Sequence, residues 1–191
     1  MPPVASRMIP LGTPAPAFEL PAVGGGRVSL DSLGRPKAIL VAFLCNHCPF
    51  VKHIRDELGR LDRDFRAAGL AMVGICSNDA ERYPQDGFDA MATEARAAGW
   101  EFPYLHDADQ SVARAYRAAC TPDFFLFDTS RRLAYRGQLD DSRPGNGKPV
   151  TGADLRHAIE EALAGRDGPA AQVPSIGCSI KWKPGNEPVE A

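Results

Sequence analysis

Ala38-Ile39-Leu40-Val41-Ala42-Phe43-Leu44-Cys45-Asn46-His47-Cys48-Pro49-Phe50 is the stretch on which the reading of this chain turns. An unbroken apolar run, entered after Arg35-Pro36, predicts a fully buried strand over Ala38–Leu44. From Pro49 the period changes. Phe50, Ile54, Leu58, Leu61 and Phe65 fall at helical spacing, and Gly69 supplies a stop. Pro49 suits a first helical turn, where its missing N–H costs nothing. Cys45 then stands at the strand-to-helix junction and Cys48 at the helix start. A thiolate, not a thiol, is the nucleophile, and the free amides and positive dipole end of a helix stabilise it. On this reading Cys45 is the exposed attacking sulfur and Cys48 the more buried one that resolves the mixed disulfide. His47, as a cation between them, would add to the stabilisation.

The rest of the chain continues the alternation. Leu70–Cys76 reads as a second buried strand, Asp89–Ala98 as a helix closed by Gly99, and Gln110–Ala118 as another with Asp109 as N-cap. Asp123–Asp128 and Leu133–Arg136 read as strands joined by Thr129-Ser130-Arg131. Thr151 can cap a last helix with Asp154 in a capping-box position and Leu155, Ile159 and Leu163 as its apolar stripe. Strand–helix–strand units of this length pair in parallel with right-handed crossovers, and the late turn adds antiparallel strands. The expected class is therefore α/β, a central mixed sheet flanked by helices. The domain is expected over residues 8–165, with an N-terminal extension before it. The Pro/Gly-rich tail, 166–191, contains Ile176, Cys178, Ile180 and Trp182, which could dock it on the domain. Gly137–Pro149 reads as a long polar loop, functional or mobile. Its Asp140, Asp141 and Arg143 either contact a substrate or only solvate the connection.

Bulk properties exclude several classes. The 191 residues are 44% hydrophobic and 24% charged, enough for one core, and the formal charge of -2 without a basic block gives no reason to expect a nucleic-acid or anionic-membrane partner. No apolar stretch approaches the ~20 residues of a bilayer span. Residues 1–20 carry no continuous apolar segment of a signal peptide. A cytoplasmic protein is expected, where paired cysteines are more often catalytic or metal-binding than structural. The odd count of five cysteines points the same way. A lone Cys-x-x-Cys is also half of a zinc site, so a metal-binding or metallochaperone module using Cys45, Cys48 and His47 is the alternative of another class. Cys76 reads as a core residue and His53 as an exposed helix residue. Cys178 reads equally as a third redox cysteine and as packing under a docked tail.

A second motif, Thr121-Pro122, opens the strand Asp123–Asp128 about 75 residues after the cysteine pair. Strand, Cys-x-x-Cys, helix and then Thr-Pro before a strand resembles the thioredoxin-like superfamily. Gly12-Thr13-Pro14-Ala15-Pro16-Ala17-Phe18-Glu19-Leu20 resembles the entry segment of the AhpC/TSA and TlpA-like redoxins. Phe43–Phe50, Cys120–Phe124 and Gly177–Lys183 together resemble a bacterial subgroup described as thioredoxin-family or thiol–disulfide isomerase-like. The resemblance implies a thioredoxin-like fold and a cis Pro122 packed against the disulfide. It also implies that the Thr121 backbone pairs with a substrate chain and that Cys120 is an active-site neighbour. The implied activity is thiol–disulfide exchange on protein or small-molecule disulfides, with no organic cofactor and a dithiol partner as reductant. His47 directly before Cys48 resembles the strongly oxidising enzyme DsbA, so a centre more oxidising than thioredoxin is expected. The rival is a peroxiredoxin, whose pattern is PxxxTxxC. Counted from Cys48, the Thr and Pro positions hold Cys45 and Val41; counted from Cys45, they hold Ala42 and Ala38. Neither register supplies the hydroxyl.

Overall fold

The computed structural model describes residues 3–188, so the last three residues of the expected tail lie outside it. In chain order the strands are β1 (Val4–Ala5), β2 (Glu19–Pro21), β3 (Arg27–Ser29), β4 (Ala38–Phe43), β5 (Leu70–Cys76), β6 (Tyr104–His106), β7 (Cys120–Thr121), β8 (Asp123–Phe127), β9 (Leu133–Tyr135) and β10 (Ile176–Ser179). The helices are α1 (Pro49–Arg66), α2 (Phe88–Ala98), α3 (Ser111–Tyr116) and α4 (Ala153–Leu163). The main sheet has the order β6-β5-β4-β8-β9, with β4, β5 and β6 parallel and β8 antiparallel to both β4 and β9. It is the mixed sheet the alternation predicts.

Every residue of β4 is buried because both faces of the central strand are covered. Ala38, Leu40, Ala42 and Leu44 join one core with Ile54, Leu58 and Leu61 of α1 and Leu155 and Ile159 of α4. Ile39, Val41 and Phe43 join a second core with Val112 and Tyr116 of α3 and with Phe18 and Leu20 near the β2–β3 hairpin. The two-residue period of a strand divides one apolar run between two cores. Among the described residues no helix is long and apolar enough to cross a membrane.

Two caps differ from their reading. α3 begins after Gln110, and its free amides are taken mainly by Asp107, whose carboxylate accepts from Val112 at 3.2 Å and Ala113 at 2.8 Å. Asp109 accepts only the Ser111 amide, at 2.9 Å. α4 follows Gly152, and Asp140 Oδ2 accepts the Thr151 and Gly152 amides at 2.7 Å each. Asp154 forms no capping box; it accepts Gln138 Nε2 at 2.6 Å. The polar loop 137–149 lacks regular structure, yet Gln138, Leu139, Asp140 and Ser142 are buried. Asp140 is spent on the two residues that lead into α4, and Thr151 Oγ1 accepts the Ala153 amide at 3.3 Å, as its reading as a cap expects. Local patterns miss such caps because the capping carboxylates come from outside the motif.

The tail supplies β10, which lies between β1 and β7 in a small antiparallel sheet. Where β7 passes into β8, the carboxylate of Asp123 is paired with the fully buried Arg136 guanidinium. Arg136 also reaches Ser6 Oγ at 3.3 Å and the Phe124 carbonyl at 3.1 Å, and lies 3.8 Å over the Phe125 ring. Asp123 accepts from Ser6 Oγ at 2.6 Å and from the Ala119 amide at 3.0 Å. This network, in which Arg136 Nε has no partner, anchors the segment before β8.

Candidate active site

β4 delivers Cys45 to the chain's turn into α1, and Cys48 is the N-cap residue of that helix, with Pro49 in its first position. Both sulfurs are buried, Cys45 at 1% and Cys48 at 0% exposure, which corrects the expectation of an exposed Cys45. Beside them lies the Thr121-Pro122 peptide, which is cis. The Cys48 thiol reaches the Thr121 carbonyl at 3.1 Å, and the Cys45 sulfur lies 3.3 Å from Thr121 Oγ1.

The two sulfurs ionise in opposite directions. The Cys45 thiol donates to Cys48, and this hydrogen bond, burial and the nearby Asp86 carboxylate together push it far up. Cys48 is lowered to about 5, first by the hydrogen bond from Cys45 and then by the Cys178 thiol and the backbone amides of Val51 and Cys178, with burial opposing. Of the two, the surroundings favour ionisation at Cys48. Cys48 holds the N-cap position at the positive end of the α1 dipole, without a side-chain cap hydrogen bond. Cys45, three residues earlier, has a carboxylate for a neighbour instead.

His47 is directed to Asp86, and its donor atom lies within 4.8 Å of the Cys45 sulfur. Its ring Nδ1 donates to Asp86 Oδ2 at 2.6 Å, and its face stacks on Tyr83 at 5.5 Å. Asp86, fully buried, also accepts from the Asn46 amide at 2.8 Å and from Asn78 Nδ2 at 2.7 Å. Sequence reading missed both Asp86 and Asn78. Asp86 ends a short 3-10 turn, Pro84–Asp86, 40 residues from Asn46, and no local pattern marks it. Asp86→Asn is expected to cost about 1–3 kcal/mol, because the amide cannot accept all of these donors. Removing the charge should also lower the Cys45 titration. Denaturant unfolding and thiolate absorbance against pH check the two effects.

Cys45, His47 and Asp86 bring donor atoms within 4.8 Å of one another, and Cys48 is not in that group, which corrects the donor set Cys45, Cys48 and His47. Two ligands held at 2.0–2.2 Å in a tetrahedron stand roughly 3.4 Å apart. The 2.6 Å contact of His47 with Asp86 is instead that of a hydrogen bond with a proton between the two. The cluster fits proton sharing better than metal ligation.

Cys120 is buried on β7, its sulfur 4.0 Å from Ser6 Oγ and 3.6 Å from the Pro122 carbonyl, and burial pushes its thiol up. Cys76 ends β5, and burial pushes it up to about 12. His53 is half-buried rather than exposed, 2.7 Å from Ser142 Oγ of the polar loop. Cys178, far away in sequence, stands opposite Thr121 in the antiparallel pair of β10 with β7. The strand edge at Thr121, expected to face a substrate chain, is therefore occupied by the chain's own tail. The recess lined by Phe50, His53, Pro122 and Ser142 holds about 20 Å³, room for one water and not for a substrate.

Residues 11–136 match the model of the AhpC/TSA family. The crystal structure of an uncharacterized conserved protein from Geobacillus kaustophilus is similar, with a TM-score of 0.94 at 54% identity over 96% of this chain and 98% of that one. A Mycobacterium tuberculosis H37Rv protein provisionally named a peroxiredoxin is 37% identical over 121 residues, 59% of this chain; the match spans 66% of that relative's length. A thiol:disulfide interchange protein of the thioredoxin family from Chlorobium tepidum TLS has a TM-score of 0.62 at 23% identity, over 82% of this chain and 99% of that one, a likeness of fold alone. The fold is thioredoxin-like.

Proposed function

The chain belongs to the AhpC/TSA family of redoxins, and from that premise we propose a thiol–disulfide oxidoreductase in which Cys45 and Cys48 cycle between dithiol and disulfide. The observation that carries this reading is the pair of sulfurs at the junction of β4 with α1, both against the cis Thr121-Pro122 peptide, with Cys48 as the N-cap residue of the helix. Cys48 is the attacking sulfur, reversing the order expected from exposure. Its thiolate breaks the disulfide of a protein or small molecule, forms a mixed disulfide and releases one substrate thiolate. Cys45 then attacks the Cys48 sulfur, closes the Cys45–Cys48 bond and expels the second substrate thiol. Two electrons leave the pair, and a second dithiol restores it. Thr121 and Pro122 hold the two sulfurs in register, while His47 acts through Asp86. A stabilised Cys48 thiolate is also a good leaving group, which makes the disulfide the more oxidising.

The order is tested by trapping, with both neighbours of Cys48 removed. Cys45→Ser/Cys178→Ser, which keeps Cys48, is expected to hold a disulfide peptide as a stable mixed disulfide that mass spectrometry places on Cys48. Cys48→Ser is expected to hold none. Trapping by Cys48→Ser alone would restore Cys45 as the attacking sulfur, and trapping by neither would end the exchange reading.

A second reading is reduction of hydroperoxides at the same thiolate, favoured by its low pKa and by the provisional name of the relative at 37% identity. The Thr position of the peroxiredoxin pattern is occupied by Cys45, although Thr121 Oγ1 brings a hydroxyl within 3.3 Å of that sulfur. Hydroperoxide consumption faster than disulfide consumption in stopped flow would put this reading first.

A further inference from the structure

Cys48 has a sulfur on each side. Cys45 stands three residues before it at the strand-to-helix junction, and Cys178 of β10 packs against the core that holds both, opposite the Thr121 whose carbonyl meets the Cys48 thiol at 3.1 Å. The position of Cys178 is built into the fold. β10 is paired on one edge with β1 and on the other with β7, with Cys178 opposite Thr121. At Gly177 a Cβ would collide with the Thr121 carbonyl, so glycine lets the tail approach this closely. Just beyond, the Lys181 amide donates to Asn78 Oδ1 at 2.8 Å and the Lys181 carbonyl accepts Gln110 Nε2 at 2.9 Å. Cys178 is held, and it is held against the active centre.

Burial separates the three sulfurs. Cys45 and Cys48 are closed off from solvent, whereas Cys178 is half-buried. A reductant meeting the folded chain finds Cys178 first. The other two cysteines are directed elsewhere, Cys76 toward the Asp86 carbonyl and Cys120 toward that of Pro122.

Resting on the reading of Cys45 and Cys48 as the redox couple, we infer that Cys178 is a second resolving thiol of Cys48, through which the buried pair passes its disulfide to a dithiol reductant. The Cys178 thiolate attacks the Cys48 sulfur of the Cys45–Cys48 disulfide. The Cys48–Cys178 bond forms as the Cys45–Cys48 bond breaks, and the electron pair leaves on Cys45, which takes up the proton Cys178 gave up. No electrons enter in this step. One thiolate of the external dithiol then attacks Cys178, releasing Cys48 as a thiolate, and the second thiol of that reductant closes its own disulfide and releases Cys178. The reductant loses two electrons and the pair gains them.

The electrostatics favour this timing. In the dithiol state Cys178 is pushed up to about 12, first by burial and then by its hydrogen bond to Cys48 and the Cys48 charge, with Lys181 pulling it down. Oxidation of Cys48 removes its charge, and the attraction of Lys181 remains. Cys178 thus gains nucleophilicity when there is a disulfide to attack.

The test is Cys45→Ser in the full chain, treated with diamide, which takes up the two electrons and two protons. The four remaining thiols are expected to fall to two. Tryptic peptide 38–52 should appear linked to 167–181. In the same variant a mixed disulfide formed on Cys48 is expected to discharge, whereas Cys45→Ser/Cys178→Ser retains it. Wild type under the same oxidant should divide between two forms, one with the internal disulfide of 38–52 and one with 38–52 linked to 167–181. Oxidation of the wild-type pair with no link to 167–181 in either protein would overturn the role of Cys178 and leave the redox couple standing. A wild-type pair that resists oxidation altogether would overturn the couple, and the relay with it.

Discussion

Cys48→Ser is expected to abolish disulfide reduction, lowering kcat/KM by roughly 10³-fold or more while leaving the fold in place. Removing the nucleophile of a covalent mechanism costs most of the rate, because the remaining groups position the substrate but cannot bond to it. The serine hydroxyl can still donate to the Thr121 carbonyl that the Cys48 thiol meets at 3.1 Å. Circular dichroism should therefore match wild type. The pH profile of the unmodified chain carries the same signature. With Cys48 lowered to about 5, kcat/KM for a small disulfide should rise as pH increases through 5 and level off toward pH 7. An unperturbed thiol would instead keep rising toward its ordinary value near 8.5. Steady-state rates from pH 4 to 9 separate the two. Cys45→Ser should move the rise upward, since the hydrogen bond from Cys45 is the largest cause of the low value.

Arg136→Ala is expected to be the most destabilising single change, at about 3–5 kcal/mol. The guanidinium and the Asp123 carboxylate are both fully buried, and truncation leaves an uncompensated charge beneath the start of β8. For a chain of this size about 1 kcal/mol corresponds to roughly 2–4 °C, so melting should fall by about 10 °C or more. The charge-free pair Arg136→Met/Asp123→Leu should recover much of that loss, because well-packed apolar residues replace a buried ion pair at little cost. Thermal melts of the three proteins check it. A double variant as unstable as Arg136→Ala would mean that the hydrogen bonds to Ser6 and the Phe124 carbonyl, not the charge balance, carry the stability. Asp123 directly follows Pro122, so Arg136→Ala should also loosen the Thr121 contact to both sulfurs and reduce turnover.

What was legible in the sequence follows from periodicity. The run Ala38–Phe43 appears as β4, Leu70–Cys76 as β5, and the stripe Ile54, Leu58 and Leu61 as the buried face of α1. Apolar residues repeating at two or at 3.6 positions can be buried in only a few ways, so local spacing decides the element. The strands β1, β2, β3, β6 and β10 were not legible. Each is two to four residues long, and their pairing partners lie elsewhere in the chain. Asp107 took most of the capping read for Asp109 for the same reason.

The sequence by itself determined that two thiols meet the start of a helix behind a buried strand, and that a Thr-Pro opens a later strand. The α/β class followed from the same local spacings. Only the tertiary structure decided what surrounds each sulfur. Cys48 stands at the N-cap of α1, while the Asp86 carboxylate, 41 positions from Cys45, comes to rest beside Cys45. Only the tertiary structure placed Cys178 beside Thr121 and the Cys48 core, through a short strand whose two partners, β1 and β7, lie far from it in sequence. Periodicity is a property of neighbours along the chain. A field at a sulfur depends on distance in space, which only the folded chain sets.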